Sequence, residues 1–410
     1  VTERQTIERN QRYLLIEVLW AGIFTGCVSF NAAYLIRLGG SNLLVSLLSS
    51  GAALINAIAA LPFAAMLERR ARRKPWIVGS LAAVRLGHLG LIVVPWLSGW
   101  RPEAMALLLI AVNVPVALFV AGFLPMLADI IPIERRARVF AARNTLIGAT
   151  VMVSTVVLGW YLDHAPFPLN YQLLYALAVV SSMISTLYIG RLTVPDSVVP
   201  PRATRESLRS LPVRELAAQQ RPFLNIVLNT LVFNIPFWMA APLQPIYFVR
   251  VLGASDAWLG LWLGVLSAGT ILGNQVWRRV IDRRGAGWAL PRSTVLSAAY
   301  YLLIGLFPDL NFILLFALAA GVVNPGVEIS HLNTLLEICP PDRRATYIGV
   351  FVTVMNIGFF LAPLAVAPLT EAIGAQALVL GLGALRLLGG LLFTLNPVRV
   401  PPAAEPAATA

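Results

Sequence analysis

Leu67-Glu68-Arg69-Arg70-Ala71-Arg72-Arg73-Lys74 packs five basic residues into a short loop between two long apolar stretches, 41–66 and 76–98. A loop of that composition resists translocation and stays on the cytoplasmic face of a membrane. Outward from it, the contrast repeats along the chain. Basic residues collect at Arg4, Arg9 and Arg12; at Arg135, Arg136, Arg138 and Arg143; from Arg191 to Arg221; at Arg278, Arg279, Arg283, Arg284 and Arg292; at Arg343 and Arg344; and at Arg399. With the first loop, these alternate intervals hold 26 of the 31 basic residues, and the intervening ones hold only Arg37, Arg101 and Arg250. Arg85 and Arg386 lie inside apolar runs. The asymmetry implies an even number of crossings with both termini cytoplasmic.

Composition agrees with a polytopic membrane protein. Hydrophobic residues make up 58% and charged residues 12%, where a soluble domain carries about 25% charged. The net charge of +12 sits in short loops, so it reads as a topology signal and not as a nucleic-acid footprint. A span needs roughly 20 apolar residues. Twelve stretches qualify: 13–36, 41–66, 76–98, 104–128, 138–161, 170–190, 223–249, 256–277, 288–308, 311–337, 346–369 and 374–396. The first continues into a multispan chain without a small-residue cleavage pattern, so it reads as a helix and not a signal peptide. The fold class expected is therefore all-α, with twelve transmembrane helices. The longest polar connection, 191–222, divides them into an N-terminal six-helix unit (1–190) and a C-terminal one (223–396). Its 206–220 part reads as a surface helix, and the Pro/Ala-rich 397–410 as a disordered tail. Cys27 and Cys339 lie at opposite ends of the fold and form no disulfide or metal framework.

The halves repeat. Ile131-Pro132-Ile133-Glu134-Arg135-Arg136-Ala137 matches Cys339-Pro340-Pro341-Asp342-Arg343-Arg344-Ala345 at an offset of 208, and Leu67-Glu68-Arg69-Arg70 matches Ile281-Asp282-Arg283-Arg284 at 214. Internal duplication of a six-helix unit explains both. On these features the chain resembles the major facilitator superfamily over about 10–396. That family carries Gly-x-x-x-Asp-Arg-x-Gly-Arg-Arg between its second and third helices. The matching stretch here is Ala64-Ala65-Met66-Leu67-Glu68-Arg69-Arg70-Ala71-Arg72-Arg73, with a second copy at Asp282-Arg283-Arg284-Gly285. The resemblance implies two six-helix bundles related by a pseudo-twofold axis, rocking about a midplane site. Gating loops are expected at Glu68, Arg69, Arg72, Arg73, Asp282 and Arg283, where charge pairs between neighbouring helices can lock the outward-facing state; plain topology determination is the alternative.

Enzymatic and motor chemistry finds no motif. The chain has no Gly-x-x-x-x-Gly-Lys-Ser/Thr loop, no His-Glu-x-x-His and no Gly-x-Ser-x-Gly. Its three histidines, His88, His164 and His331, are too scattered for a zinc site. The expectation is no enzyme, no metal and no cofactor, with transport energy drawn from a gradient.

Ionisable residues inside a membrane are functional candidates by default. The tenth stretch is richest: Asn324, Glu328 and His331 follow i, i+4, i+7 spacing and share a face, and Pro325 permits a kink. Glu328 is the candidate proton carrier; holding helices together is the alternative. Arg85 and His88 lie one turn apart on the third stretch, where Arg85 can pair with Glu17 of the first, snorkel towards the inner headgroups or contact substrate. Glu17 reads as a gate or an interface residue. The seventh stretch offers Asn225, Asn229 and Asn234, either cavity amides or interhelical hydrogen bonds. Arg386 lies on a helix that is peripheral in the resemblance, which counts against substrate contact.

The function expected is secondary active transport of a small solute across a bacterial cytoplasmic membrane by alternating access, coupled to protons. The protein is expected to act as a monomer in the bilayer with no nucleic-acid partner. Export of amphipathic drugs or lipids is the alternative. The family's drug/proton antiporters carry a Gly-Pro pattern in helix 5, whereas Gly148–Gly159 here has no Pro. A membrane receptor with the same fold is a second class, separated by the absence of any cavity residue whose mutation alters flux.

Overall fold

The computed structural model describes residues 3–195, 221–339 and 344–396, apart from a few side chains that include Glu68. The surface helix expected at 206–220, most of the 191–222 connection, the tail and Arg343 lie outside the described residues.

The twelve apolar stretches form twelve helices: α1 (Glu3–Val28, continuing as Asn31–Arg37), α2 (Asn42–Glu68), α3 (Lys74–Val93, closing in a 3-10 turn), α4 (Arg101–Ile130), α5 (Ile133–His164), α6 (Leu169–Gly190), α7 (Arg221–Ile246, continuing as a π turn Tyr247–Val251), α8 (Asp256–Arg284), α9 (Ala286–Leu306), α10 (Leu310–Ile338), α11 (Arg344–Leu364 and Val366–Ile373) and α12 (Ala375–Leu395). Each crossing is long and apolar enough to span a bilayer. Several run further into the basic loops than expected, as α1, α5 and α8 do. Hydropathy marks the lipid-facing length, whereas backbone hydrogen bonding continues into polar sequence once the helix is started. The break in α1 falls where Thr25 Oγ1 donates to the Ala21 carbonyl and Ser29 Oγ to the Thr25 carbonyl. Such side-chain back-bonding bends helices. In α7, Pro236, Pro242 and Pro245 each remove a backbone donor, and the helix ends in its π turn.

Helix contacts are extensive within the first six helices, within the last six, and between the two sets. In the first, α1 packs on α5 and α6, α4 on α2 and α3, and α3 on α6; in the second, α10 packs on α8 and α9, and α12 on α7 and α9. The sets meet through α5 on α8 and α2 on α11. Small residues permit these contacts: a Cβ on Gly159 would lie 3.0 Å from the Cα of Gly260, so α5 and α8 touch backbone to backbone. Apolar side chains such as Ile58 and Leu107 face outward, and exposed Trp96 and Trp100 sit together at one helix end with Trp76 at the other. That is the aromatic banding of a membrane protein.

Candidate functional site

Each half encloses a cavity in the same place. The first, about 590 Å³, is lined by residues from all six helices α1–α6. The second, about 250 Å³, lies among α7, α9, α10 and α12. Phe24 in the first and Phe237 in the second are 213 residues apart, so the duplication carries the cavity wall with it.

In the first cavity Glu17 is buried and holds three helices together. Its carboxylate accepts from Arg143 Nη1 of α5 at 2.6 Å and from Ser185 Oγ of α6 at 3.0 Å. Arg143 Nη1 also donates to the Leu14 carbonyl at 2.9 Å. The pairing of Glu17 with Arg85 is therefore corrected: Arg143, counted among the topology residues, takes the acid. Arg85 instead donates from Nε to the Ser182 carbonyl at 3.4 Å and stacks 4.6 Å from the Phe24 ring. His88 Nδ1 donates to the Val84 carbonyl at 2.7 Å, and its ring meets Phe24 edge-on.

The second cavity gathers Asn234, Asn324, Glu328 and His331, as the spacing on α10 implies. No Glu328–His331 pair forms; the His331 Nε2 and Thr230 Oγ1 are hydrogen-bonded at 2.7 Å. Glu328 is exposed and makes no hydrogen bond or ion pair among the described residues. The same cavity is lined by Arg386, which is 4% exposed. Its Nη1 donates to the Phe233 carbonyl at 3.2 Å, and its guanidinium carbon lies 4.0 Å from the Phe233 ring and 5.4 Å from Tyr301. Its Nε has no partner, and no carboxylate among the described residues is within ion-pair distance. A buried charge without a counter-ion costs several kcal/mol, of which ring stacking recovers about 0.5–2 per contact.

Asn225 and Asn229 do not line the cavity and take the other alternative, interhelical hydrogen bonds. Asn225 Nδ2 donates to Asn396 Oδ1 at 2.7 Å, and Asn229 Nδ2 to the Asn396 carbonyl at 3.1 Å. They clamp the end of α7 to the end of α12.

At the basic end, Arg73 Nε donates to the Leu67 carbonyl at 3.2 Å and closes the last turn of α2. Arg69 and Arg283 are exposed, Arg72 lines a small groove with Asp129, and the Glu68 side chain lies outside the described residues. Asp282 borders a cavity of about 440 Å³ between α5 and α8, shared with Asn144, Asn274, Arg278 and Asn333, and makes no ion pair among the described residues. The expected latch is thus not engaged at Asp282.

Hydrogen bonds between the halves gather at the other end, in a feature the sequence reading missed. Arg37 Nη2 donates to the Ala254 carbonyl at 3.1 Å and to Asp256 Oδ1 at 3.5 Å. Arg250 donates to the Gly40 carbonyl and, at 2.6 Å, to Asn42 Oδ1. The two arginines are 213 residues apart, and each pair of acceptors 214. Gly39 and Gly253 both turn with positive φ, and Ser41 and Ser255 cap α2 and α8 alike. The result is a reciprocal clasp, each arginine gripping the other half's copy of one turn. Asp163 adds a third hold, accepting from the Asp256 and Ala257 amides at 2.9 and 3.0 Å. A carboxylate is favoured at that helix N-terminus. The signal was present: Tyr34-Leu35-Ile36-Arg37 and Tyr247-Phe248-Val249-Arg250 form a third copy of the repeat.

Twelve spans in two packed sets, a cavity in each, and one end clasped define a membrane transporter. A sequence profile described as the Major Facilitator Superfamily matches residues 15–255 and again 226–410. The chain belongs to that superfamily; it is a multi-pass secondary transporter and not an enzyme. No curated relative matches the chain by sequence. Among solved structures it is similar to a bacterial homolog of the human lysosomal transporter Spinster, in an inward-facing and occupied conformation, at 14% identity, covering 95% of this chain and 98% of that one with a TM-score of 0.71. A point mutant of the nucleoside transporter NupG is similar at 13% identity, covering 94% and 99%, TM-score 0.71. A D-xylose-proton symporter is similar at 13% identity, covering 96% and 97%, TM-score 0.67.

Proposed function

We propose that the protein couples movement of a small solute to protons by alternating access, acting as a monomer in a bacterial cytoplasmic membrane with both termini and the basic loops inside. In that orientation the clasped end faces outward, and the conformation is inward-facing. Glu328 carries the coupling reading. It is an unpartnered carboxylate on a cavity wall, on a helix with Pro325 one turn away, and a carboxyl group so placed can exchange a proton with entering water. A thermal-shift panel of sugars, organic acids, amino acids and drugs identifies the solute, because a ligand stabilises the state it binds. Glu328→Gln in proteoliposomes then abolishes accumulation driven by a pH gradient while exchange between equal pools persists. Normal accumulation by Glu328→Gln assigns coupling elsewhere.

The orientation is tested separately. In a background lacking Cys27 and Cys339, single cysteines beside Arg72, Arg136 or Arg284 resist an impermeant thiol reagent in intact cells, and one beside Arg101 reacts. Labelling beside Arg72 from outside reverses the topology. A second reading, export of amphipathic compounds, is favoured by the apolar wall that Leu81, Val84, Leu109, Val112 and Phe119 give the first cavity. A hydrophobic cation in the same thermal-shift panel tests it.

A further inference from the structure

We infer that Arg386 is the anion-binding subsite of the second cavity, and that the solute is a soluble monocarboxylate with an apolar body, carried with one proton on Glu328. The inference rests on the coupled-transport reading and adds to it the substrate class and the charge balance.

Charge is the first argument. Arg386 is buried and meets no carboxylate among the described residues, yet it lines an open cavity. Its only described polar contact is the Phe233 carbonyl, and Nε is left without a partner. A guanidinium held this way keeps free donors for an incoming carboxylate, and Arg–carboxylate geometry favours two parallel hydrogen bonds. One positive charge matches one negative charge. A dianion would leave the cavity with an uncompensated negative charge even with Glu328 neutral.

The walls are the second. Phe233, Phe237 and Tyr301 surround the guanidinium, and Trp238 lines the same cavity. These surfaces suit the apolar body of the solute, with Asn234 and Asn324 as further polar contacts.

Glu328 supplies the coupling. Empty, the cavity holds Arg386 as a cation and Glu328 as an anion, formally balanced. A bound carboxylate would place two anions beside one cation unless Glu328 takes a proton, so the anion and one proton enter together and the balance is restored. The other groups facing this cavity do not change that count. On α10 His331 is engaged with Thr230; α7 and α9 bring Thr230, Asn234 and Thr294 without charge; α11 brings Phe351 against His331. Arg278 and Asp282 of α8 border the separate cavity at the basic end.

The test is thermal stabilisation of the purified full-length protein by straight-chain and aromatic monocarboxylates of four to ten carbons, each against its own carboxamide. At least one carboxylate stabilises the protein while its amide does not, and its apparent affinity strengthens by up to about tenfold per unit of acidification. Glu328→Gln removes that pH dependence and retains binding. Arg386→Gln abolishes carboxylate stabilisation, and Arg386→Lys, which keeps the charge and guards against misfolding, restores part of it. The proposal is overturned if amides match their acids, if stabilisation persists in a folded Arg386→Gln protein, or if only phosphatidylglycerol added to the detergent stabilises through Arg386. Binding of a sugar or another neutral solute that Glu328 still couples to protons would sink the anion subsite and leave the transport reading standing. Carboxylate binding without proton-driven accumulation would do the reverse.

Discussion

Replacing Arg37 and Arg250 together by alanine opens the clasped end and moves the resting protein toward its other conformation. Each arginine holds two acceptors on the opposite half, and in the structure Arg37 is one-third exposed at its side chain. Hydrogen bonds to charged groups contribute about 1.5–3 kcal/mol when shielded, and solvent screening of exposed pairs lowers that figure. An estimate of about 1.4 kcal/mol per arginine corresponds to about a tenfold shift in population for each single substitution. The two grips share the same pair of turns, so the double substitution shifts the population further than either single one without being their simple product. Spin labels or cysteine cross-links between Leu38 and Leu252, in the two copies of the turn, report the opening. Asp163→Ala removes the third hold and gives a smaller shift in the same direction. Distances unchanged in the double variant would mean that the α5–α8 backbone contact at Gly159 and Gly260 alone closes this end.

The spans were legible because the bilayer leaves the sequence little choice. Backbone groups in hydrocarbon must bond within a helix, so each crossing declares itself as an apolar run. The superfamily was legible because short loops keep their motifs through a duplication. Partners across helices were not. On sequence Glu17 is matched only with Arg85, and it takes the packing of α1 against α5 to show that Arg143, a charge inside the fifth apolar stretch, receives the carboxylate. Asn225 and Asn229 share a helix face with one another, but that face turns toward Asn396 and away from the cavity. Arg386 was set aside because its helix is peripheral, yet a long side chain from a rear helix reaches the wall between α7 and α10. The clasp was the readable feature left unread. Its arginines fell on the side with few charges and were counted for topology, whereas aligning the turn after the first and seventh stretches pairs them directly.

Glu17→Leu destabilises the protein by about 3–5 kcal/mol, the cost expected when a buried ion pair loses one partner. The Arg143 side chain is 11% exposed and that of Glu17 5%, so solvent offers little relief to whichever charge is left behind. Arg85 lines the same cavity, and without Glu17 the two cations face one another with no acid on its wall. Ser185 Oγ also loses its acceptor. The double variant Glu17→Leu/Arg143→Met removes both charges and recovers most of the loss, because an apolar pair of similar volume is often as stable as the ion pair it replaces. Thermal unfolding in detergent measures all three proteins, and solute transport in proteoliposomes, as exchange and as proton-driven accumulation, measures them again. The two readouts separate two roles for the pair. If it only binds α1, α5 and α6 into one body, the double variant regains stability and exchange together. If instead the pair opens during transport and Glu17 itself takes part in coupling, stability returns while proton-driven accumulation does not. A Glu17→Leu protein as stable as the parent would show that Arg143 finds a counter-ion elsewhere, and the pair would then lose its place as the tie between these three helices.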